Sequence, residues 1–472
     1  MMIHAHPRLY PALLTLVALI AAITLFWGLG DIGLMSFNEA RRAIPTTHML
    51  TSGDWLLPVM NGEIYIAKPP LIYWLAAACA SLFSTLNEWT LRLPVAIAAA
   101  GMAVVAYRFA LRRFGAWPAL FVLLVLIANA GYAMLARRIE IEMLLATLCF
   151  FSYLCALKFS VEEAPISWLR LSYLLLGLAV LTKGPLALLF VTLPLLVLAL
   201  HQRQSRYWKA LTDPWSWLVL LLVGGSWYAV VSWQLGLDAW AATLQRDIVH
   251  KVHGENAEPL FNYLLWLGLD FLPFTLLLLA RPLATLQRWK QQPMLLALLL
   301  AVLVPLLVFT AFSDKHAKYL LPVYPLIALL LGKRLGELFD GMGAKLQYNL
   351  LAFMLVLAVA YAAYYGVFER HLLHYRYQAL TEFSLWLEQQ PGLTMYGYKH
   401  LDERLVYYAK RDIPLVGDRD FARLKREGAL LLVEGRDIAR VRPLAGCVIR
   451  QFRPYLKQKK SLMVFGFGAA CR

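Results

Sequence analysis

With 472 residues, 60% of them hydrophobic and only 16% charged, the chain is far more apolar than the roughly 45–50% of an ordinary soluble domain. That composition excludes a single water-facing globule. Forty-five Lys and Arg against 29 Asp and Glu give a formal charge of +16, but the excess lies beside apolar runs. Arg112-Arg113, Arg203 to Lys209, Arg281 to Lys290 and Lys333-Arg334 read as cytoplasmic membrane anchors under the positive-inside rule, not as a nucleic-acid surface.

In chain order, apolar runs that span a bilayer or nearly so lie at 9–29, 93–111, 116–135, 142–159, 170–182, 184–200, 215–235, 262–280, 294–312, 319–335 and 348–368. They predict a mainly α polytopic membrane protein of about eleven helices. No convincing cleavage site follows the first run, which therefore reads as an uncleaved span. The run 69–86 is short and opens on two prolines, so it is expected to lie in the interface. Counting it as a span would invert every later loop and put Arg203 to Lys209 and Arg281 to Lys290 outside, against the charge rule. With the N-terminus inside, the segments around 31–68, 137–142, 183, 236–259 and 313–318 all face outward, and so does the tail.

From about residue 370 the pattern changes to short apolar segments at 393–398, 429–433 and 462–467, separated by charged stretches. These read as strands, and helices are expected near 377–388 and 421–426. The predicted organisation is a membrane domain over 1–369, with an outer loop at 30–92, followed by a small α/β domain over 370–472. Cys79, Cys149 and Cys155 lie in apolar runs, and Cys447 and Cys471 in the tail form a disulfide candidate if the tail is outside. There is no phosphate-binding G-x-x-x-x-G-K-[ST] loop, which argues against ATP-driven transport.

The outer loop carries the most specific signal. It reads FNEARRA from Phe37 to Ala43, SGDWLLP from Ser52 to Pro58, and NGEIYIAKPPLIYW from Asn61 to Trp74. In that order these elements resemble the membrane glycosyltransferases that use polyprenyl-phosphate sugars, the protein O-mannosyltransferase and aminoarabinose lipid A transferase superfamily. Arg92-Leu93-Pro94, Leu181 to Pro185, Ser226-Trp227-Tyr228 and Lys318 to Pro322 extend the resemblance over most of the membrane portion. It implies a helical bundle of the GT-C type in a bacterial inner membrane, with the active site and the C-terminal domain on the periplasmic side. The implied donor is a polyprenyl-phosphate-linked sugar. The implied acceptor is a lipid or glycan of the cell envelope, such as lipid A, or a protein.

Transfer from such a donor requires cations to stabilise the departing phosphate. Lys68, set by Pro69-Pro70, and Arg41 are the leading candidates, joined by Lys183, Arg246, Lys251, Lys318 and Tyr319; an interfacial anchor is the alternative for each. Glu39 is the first carboxylate expected to activate an acceptor or support positive charge on the sugar, the alternative being a solvated loop acid. The family's Asp-Glu pair appears here as Asn38-Glu39, and Asn38 cannot act as a general base. Glu142 matches the approximate position of a family Asp, although Glu140 and Glu142 could equally neutralise Arg137-Arg138. Ala67 replaces a family Glu implicated in metal binding, and His250 and His253 are too ordinary a pair to replace it. No cofactor and no metal ligand set are predicted, and dependence on a divalent metal stays open. The rival reading is a polyprenyl-phosphate carrier or transporter that binds the same lipid without chemistry.

Overall fold

The computed structural model describes residues 9–241, 258–279, 282–390, 392–435, 437–452 and 461–471. They fall into two compact units. The first comprises Met1–Trp27, Ile66–Ile72 and Leu93–Gly366, and the second Gly28–Tyr65, Tyr73–Arg92 and Val367–Arg472. The outer loop, expected within a membrane domain 1–369, thus belongs, apart from Ile66–Ile72, to the same compact unit as the C-terminal strands.

The helices run α1 (Leu9–Phe26), α2 (Phe37–Ser52), α3 (Leu71–Leu82), α4 (Glu88–Phe114), α5 (Ala116–Ile127), α6 (Ala130–Ala136), α7 (Ile141–Ser160) and α8 (Ile166–Lys183). They continue as α9 (Leu186–Gln202), α10 (Ser205–Thr212), α11 (Pro214–Gly224), α12 (Ser226–Leu235), α13 (Asn262–Asp270), α14 (Pro282–Lys290), α15 (Pro293–Thr310), α16 (Tyr324–Asp340) and α17 (Ala344–Ala363). Seven helices among the described residues are long and apolar enough to cross a membrane, or nine if each of two bent pairs is one span.

The sequence count of about eleven is therefore not reached, and the shortfall has local causes. The run 184–200 forms a 17-residue helix with Pro194 inside it. The run 262–280 is divided between α13 and a 3-10 helix at Phe274–Leu279, as expected where Pro273 removes a donor and biases the preceding residue away from helix. The run 116–135 bends by 68° between α5 and α6, where Asn129 stops one helix and caps the next by accepting from the Tyr132 N–H at 2.8 Å.

In the first unit α7 is almost wholly buried and packs against α8. As a 20-residue helix it rises about 30 Å. Its N-terminal end meets the end of α8 at Lys183. Its other end meets the start of α8, with the Lys158 ammonium 3.5 Å from the Trp168 ring centroid, and α10, whose Arg206 donates to the Phe159 carbonyl. Helices α5 and α16 also pack closely. Trp117 near the start of α5 lies 5.0 Å, centroid to centroid, from Phe339 near the end of α16.

The second unit holds a five-stranded sheet in the order β4-β3-β5-β7-β6, from β3 (Met395–Tyr398), β4 (Leu415–Val416), β5 (Leu430–Glu434), β6 (Cys447–Phe452) and β7 (Leu462–Gly466). Strand β3 runs parallel to β4 and β5, and β7 is antiparallel to β5 and β6. Leu431, Val433, Met463 and Phe465 fill its core with Tyr398 and Phe467. Three strands and the helices Gln378–Glu388 and Phe421–Glu427 fall where the sequence places them. Cys447 and Cys471 are joined by a disulfide.

The outer loop of the same unit is largely ordered secondary structure. Ser36 caps α2 by accepting from the Glu39 N–H, and Gly53, at φ 75°, closes it in the left-handed conformation. A two-stranded hairpin, β1 (Val59–Met60) and β2 (Glu63–Ile64), turns at Asn61-Gly62. Both turn residues have positive φ, 55° and 79°, the requirement of a tight hairpin turn. The Asn61 side chain also donates to the Ile413 carbonyl at 2.8 Å and accepts from its N–H at 2.6 Å.

The contact of α5 with α16 rests on small residues. A Cβ added at Gly332 would lie 2.4 Å from Val122 Cγ2 and 2.9 Å from the Pro118 carbonyl, whereas one at Gly101 would meet only Phe151 at 3.7 Å. Gly332→Ala is expected to destabilise the protein by about 1–3 kcal/mol through overpacking, seen as a lower thermal midpoint of the purified protein. Gly101→Ala leaves the midpoint unchanged or raises it. Equal midpoints for the two variants would contradict this packing.

Candidate active site

In the first unit three chain segments bring opposite charges together at helix ends. Glu140 precedes α7 at its N-cap position and Glu142 sits in the first turn, where an anionic side chain is favoured by the helix dipole. Lys183 is the last residue of α8, and the chain turns away at Gly184, whose φ is 85°. Lys318 and Tyr319 lie in a 3-10 helix at Ala317–Val323.

The Lys183 ammonium is 3.2 Å from Glu142 Oε1 and 4.5 Å from the centre of the Tyr319 ring. Lys318 Nζ is 2.8 Å from Glu140 Oε2 and 3.6 Å from Glu142 Oε1. Lys68, also in this unit, lies within electrostatic reach of Lys183. The Glu140, Glu142 and Lys183 side chains are 5%, 6% and 9% exposed, and Lys318 23%, so these charges interact in a medium less screening than water. Three lysines and two carboxylates leave one positive charge over within this set. Arg137 donates to the carbonyls of Thr24 and Tyr365 at 3.0 and 3.2 Å.

Glu39, in the second unit, is fully buried. Its Oε1 accepts from Arg92 Nε at 2.9 Å, and its Oε2 accepts from Arg92 Nη2 at 3.2 Å and from the Met35 N–H at 2.7 Å. Arg92 in turn donates to the carbonyls of Leu29, Ile32 and Gly33 at 2.6–3.0 Å. Glu39 is thus not the solvated loop acid of the alternative reading: it neutralises a guanidinium that closes the backbone of 29–33 into a compact turn. Asn38 is half-buried beside it on α2.

Arg41 stacks over Phe37 at 4.8 Å and pairs with Glu403 at 2.7 Å, and Arg42 donates to the Tyr73 hydroxyl at 2.6 Å. Burial and the neighbouring Glu88 carboxylate push the Tyr408 phenol well above its ordinary range. It therefore stays protonated, donating to Glu88 at 2.7 Å while accepting from the Leu34 N–H at 2.8 Å.

Of the residues singled out in the sequence, the structure thus gathers Glu142, Lys183, Lys318 and Tyr319 in the first unit, with Lys68 in electrostatic range. It sets Asn38, Glu39 and Arg41 along α2 in the second. Arg246 and Lys251, with His250 and His253, lie outside the described residues. Among the described residues no group of three or more His, Cys, Asp and Glu side chains converges to hold a metal ion. The sequence missed Arg92 as the partner of Glu39 and Glu403 as the partner of Arg41. For Arg92 the signal available was an arginine close to the start of an apolar helix; for Glu403 there was none, because 362 residues separate it from Arg41.

Residues 67–233 match the dolichyl-phosphate-mannose-protein mannosyltransferase family, and residues 243–386 the Alg9-like mannosyltransferase family. The fold is similar to the crystal structure of ArnT from Cupriavidus metallidurans bound to undecaprenyl phosphate, with a TM-score of 0.80 at 19% identity, over 96% of this chain and 97% of that one. These likenesses define a multi-pass membrane protein with the GT-C type of fold.

Within that class the chain resembles the ArnT-like glycosyltransferases. It is 28% identical over 353 residues to an undecaprenyl phosphate-alpha-4-amino-4-deoxy-L-arabinose arabinosyl transferase of Shewanella sediminis, over 71% of this chain and 62% of that protein. It is 25% identical over 411 residues to an uncharacterized protein of Aquifex aeolicus, over 85% of this chain and 88% of that one. The chain thus spans less than two thirds of the length of the Shewanella transferase.

The pairing of Glu39 with Arg92 carries a stability prediction. Glu39→Gln leaves a buried guanidinium without its counter-charge, and such losses run to about 3–5 kcal/mol. Its thermal midpoint falls well below wild type, and Glu39→Gln/Arg92→Gln loses less than the sum of the two single variants, because the residues act as a pair. Strict additivity would separate the two residues energetically.

Proposed function

We propose that the protein transfers a sugar from a polyprenyl-phosphate donor to an acceptor of the cell envelope, on the periplasmic side of a bacterial inner membrane. The observation that carries this reading is the cluster of Lys183 and Lys318 against Glu140 and Glu142, with Tyr319 beneath Lys183. Donors that are already oriented and partly withdrawn from water stabilise developing charge without reorganising during the reaction. In the proposed reaction an acceptor oxygen attacks the anomeric carbon, the bond from that carbon to the phosphate oxygen breaks, and polyprenyl phosphate leaves as the anion. Lys68, Lys183 and Lys318 hold that phosphate, and Tyr319 orients the lysine above it.

Glu142 is the carboxylate this geometry favours for acceptor activation or for support of positive charge on the sugar. Glu39, saturated by Arg92, acts as a positioning residue for the 29–36 segment. Arg41 keeps its proposed contact with donor phosphate only by exchanging Glu403 for it. The likeness to aminoarabinose transferases, one of them crystallised with undecaprenyl phosphate, supports this donor class and makes lipid A the first acceptor to test.

The orientation rests on charge. Within the first unit, the ends of α4 and α7 remote from Glu142 and Lys183 carry Arg112, Arg113 and Lys158, which favours the cytoplasm for that side. The Cys447–Cys471 disulfide supports an oxidising compartment for the C-terminal sheet. Cysteine-labelling from outside intact spheroplasts should therefore reach an introduced Lys410→Cys, whose side chain is exposed. Labelling only after permeabilisation would reverse the orientation.

Release of free polyprenyl phosphate from a lipid-linked sugar by the purified protein tests the reaction itself; a carrier would not produce it. Lys318→Gln is expected to lower turnover about tenfold to a hundredfold, the worth of one charge-assisted contact realised in the transition state. Lys333→Gln, which loses a half-buried pair with Glu337 and a ring contact with Phe114 at the far end of α4, leaves turnover unchanged.

Glu142→Gln separates two roles. If the carboxylate activates the acceptor, kcat falls by about 10²–10⁴-fold while the unmasked lysines bind donor at least as tightly. If it only neutralises lysine, kcat is retained and the KM for donor falls.

A further inference from the structure

We propose that the groove between the far ends of α4, α7 and α8 is a binding site for an anionic glycerophospholipid. It lies at the opposite end of the bundle from the carboxylate–lysine cluster: Lys158, which lines it, is about 24 Å along α7 from Glu142.

The groove has a volume of about 670 Å³ and is lined by Arg108, Arg112, Arg113 and Lys158, with Glu162 as the single carboxylate in its wall. Glu162 is already taken by Arg113, with which it forms an ion pair. Arg108 and Arg112 make no ion pair among the described residues. Spaced four apart on α4, they stand on one face with Val105 and Phe109 of the same wall. Lys158 is pinned against the Trp168 ring, a contact that fixes the ammonium without consuming its hydrogen-bond donors. The surplus of cations therefore faces the groove and not a protein carboxylate.

The rest of the wall decides what kind of anion fits. Val105, Phe151, Leu154 and Leu171 line the groove and lie farther along their helices from the bundle end than Arg108, Lys158 and Trp168, on helices that pass as membrane spans, and Leu171 is 39% exposed. An apolar wall open beside a cationic end matches a headgroup phosphate with an acyl chain running from it. A soluble anion would gain only the charges and leave the wall wet. Basic pockets between membrane helices are the setting in which anionic lipid headgroups are held. The complementarity is to a headgroup of net negative charge, so phosphatidylglycerol or cardiolipin fits, whereas phosphatidylcholine sets a choline cation beside the same phosphate and against the arginines.

The test uses the purified full-length protein, delipidated and titrated with phosphatidylglycerol, cardiolipin or phosphatidylcholine, with bound lipid read by native mass spectrometry. It requires no sugar donor, so its result is independent of the transfer reaction. Phosphatidylglycerol or cardiolipin should bind in preference to phosphatidylcholine, and Arg108→Gln/Arg112→Gln should weaken the anionic lipid about thirtyfold, equivalent to about 2 kcal/mol. Arg108→Lys/Arg112→Lys should retain binding. Arg203→Gln/Lys209→Gln, which removes the same charge at the same end of the bundle but outside the groove, should leave it unchanged. Lys158→Gln supplies an independent variant on a different helix and should weaken binding in the same direction. Equal affinity for phosphatidylcholine, an equal loss in the two Gln double variants, or full displacement by inorganic phosphate alone would overturn the assignment.

Discussion

A charge removed from water has to be met by another charge or by aligned dipoles, or it destabilises the fold by several kcal/mol. That constraint arranges both units of this protein. In the first, Glu140, Glu142, Lys183 and Lys318 are admitted at the ends of helices, each with an opposite charge in contact. In the second, Glu39 is enclosed against Arg92, and Arg404, fully buried, is enclosed against Asp402 at 2.7 Å.

The two kinds of pairing have different chemical consequences. Arg92 spends its guanidinium on Glu39 and three backbone carbonyls, an arrangement that occupies all five of its N–H donors and holds a turn. The lysines of the first unit have three rotatable donors each and face carboxylates that they share. They can exchange or add an anionic partner with small movements. The distinction between a structural ion pair and a responsive one therefore lies in the number of donors left over, which residue type alone does not give.

Much of the architecture is legible from residue patterns because the physics there is local. The apolar runs and the strands at 395–398, 430–434 and 462–466 follow from composition and short-range order, whereas Cys447 and Cys471 are a candidate pair that the fold of the sheet brings together. Where the pattern misleads, a local feature is responsible: Pro273 divides one apolar run, Asn129 bends another, and a helix cap at Ser36 turns an expected loop into α2.

The sequence by itself determined that the chain lives in a membrane, which class of glycosyltransferase it resembles, and which lysines and acids are worth examining. It could do so because hydropathy and motif order are properties of consecutive residues. Only the tertiary structure decided which carboxylate is engaged and by what. Glu39 finds Arg92 53 residues away, and Glu140 finds Lys318 178 residues away, contacts set by helix packing and not by spacing along the chain. Glu142, buried as Glu39 is, lies between two lysines of its own unit, and no local pattern distinguishes those two acids.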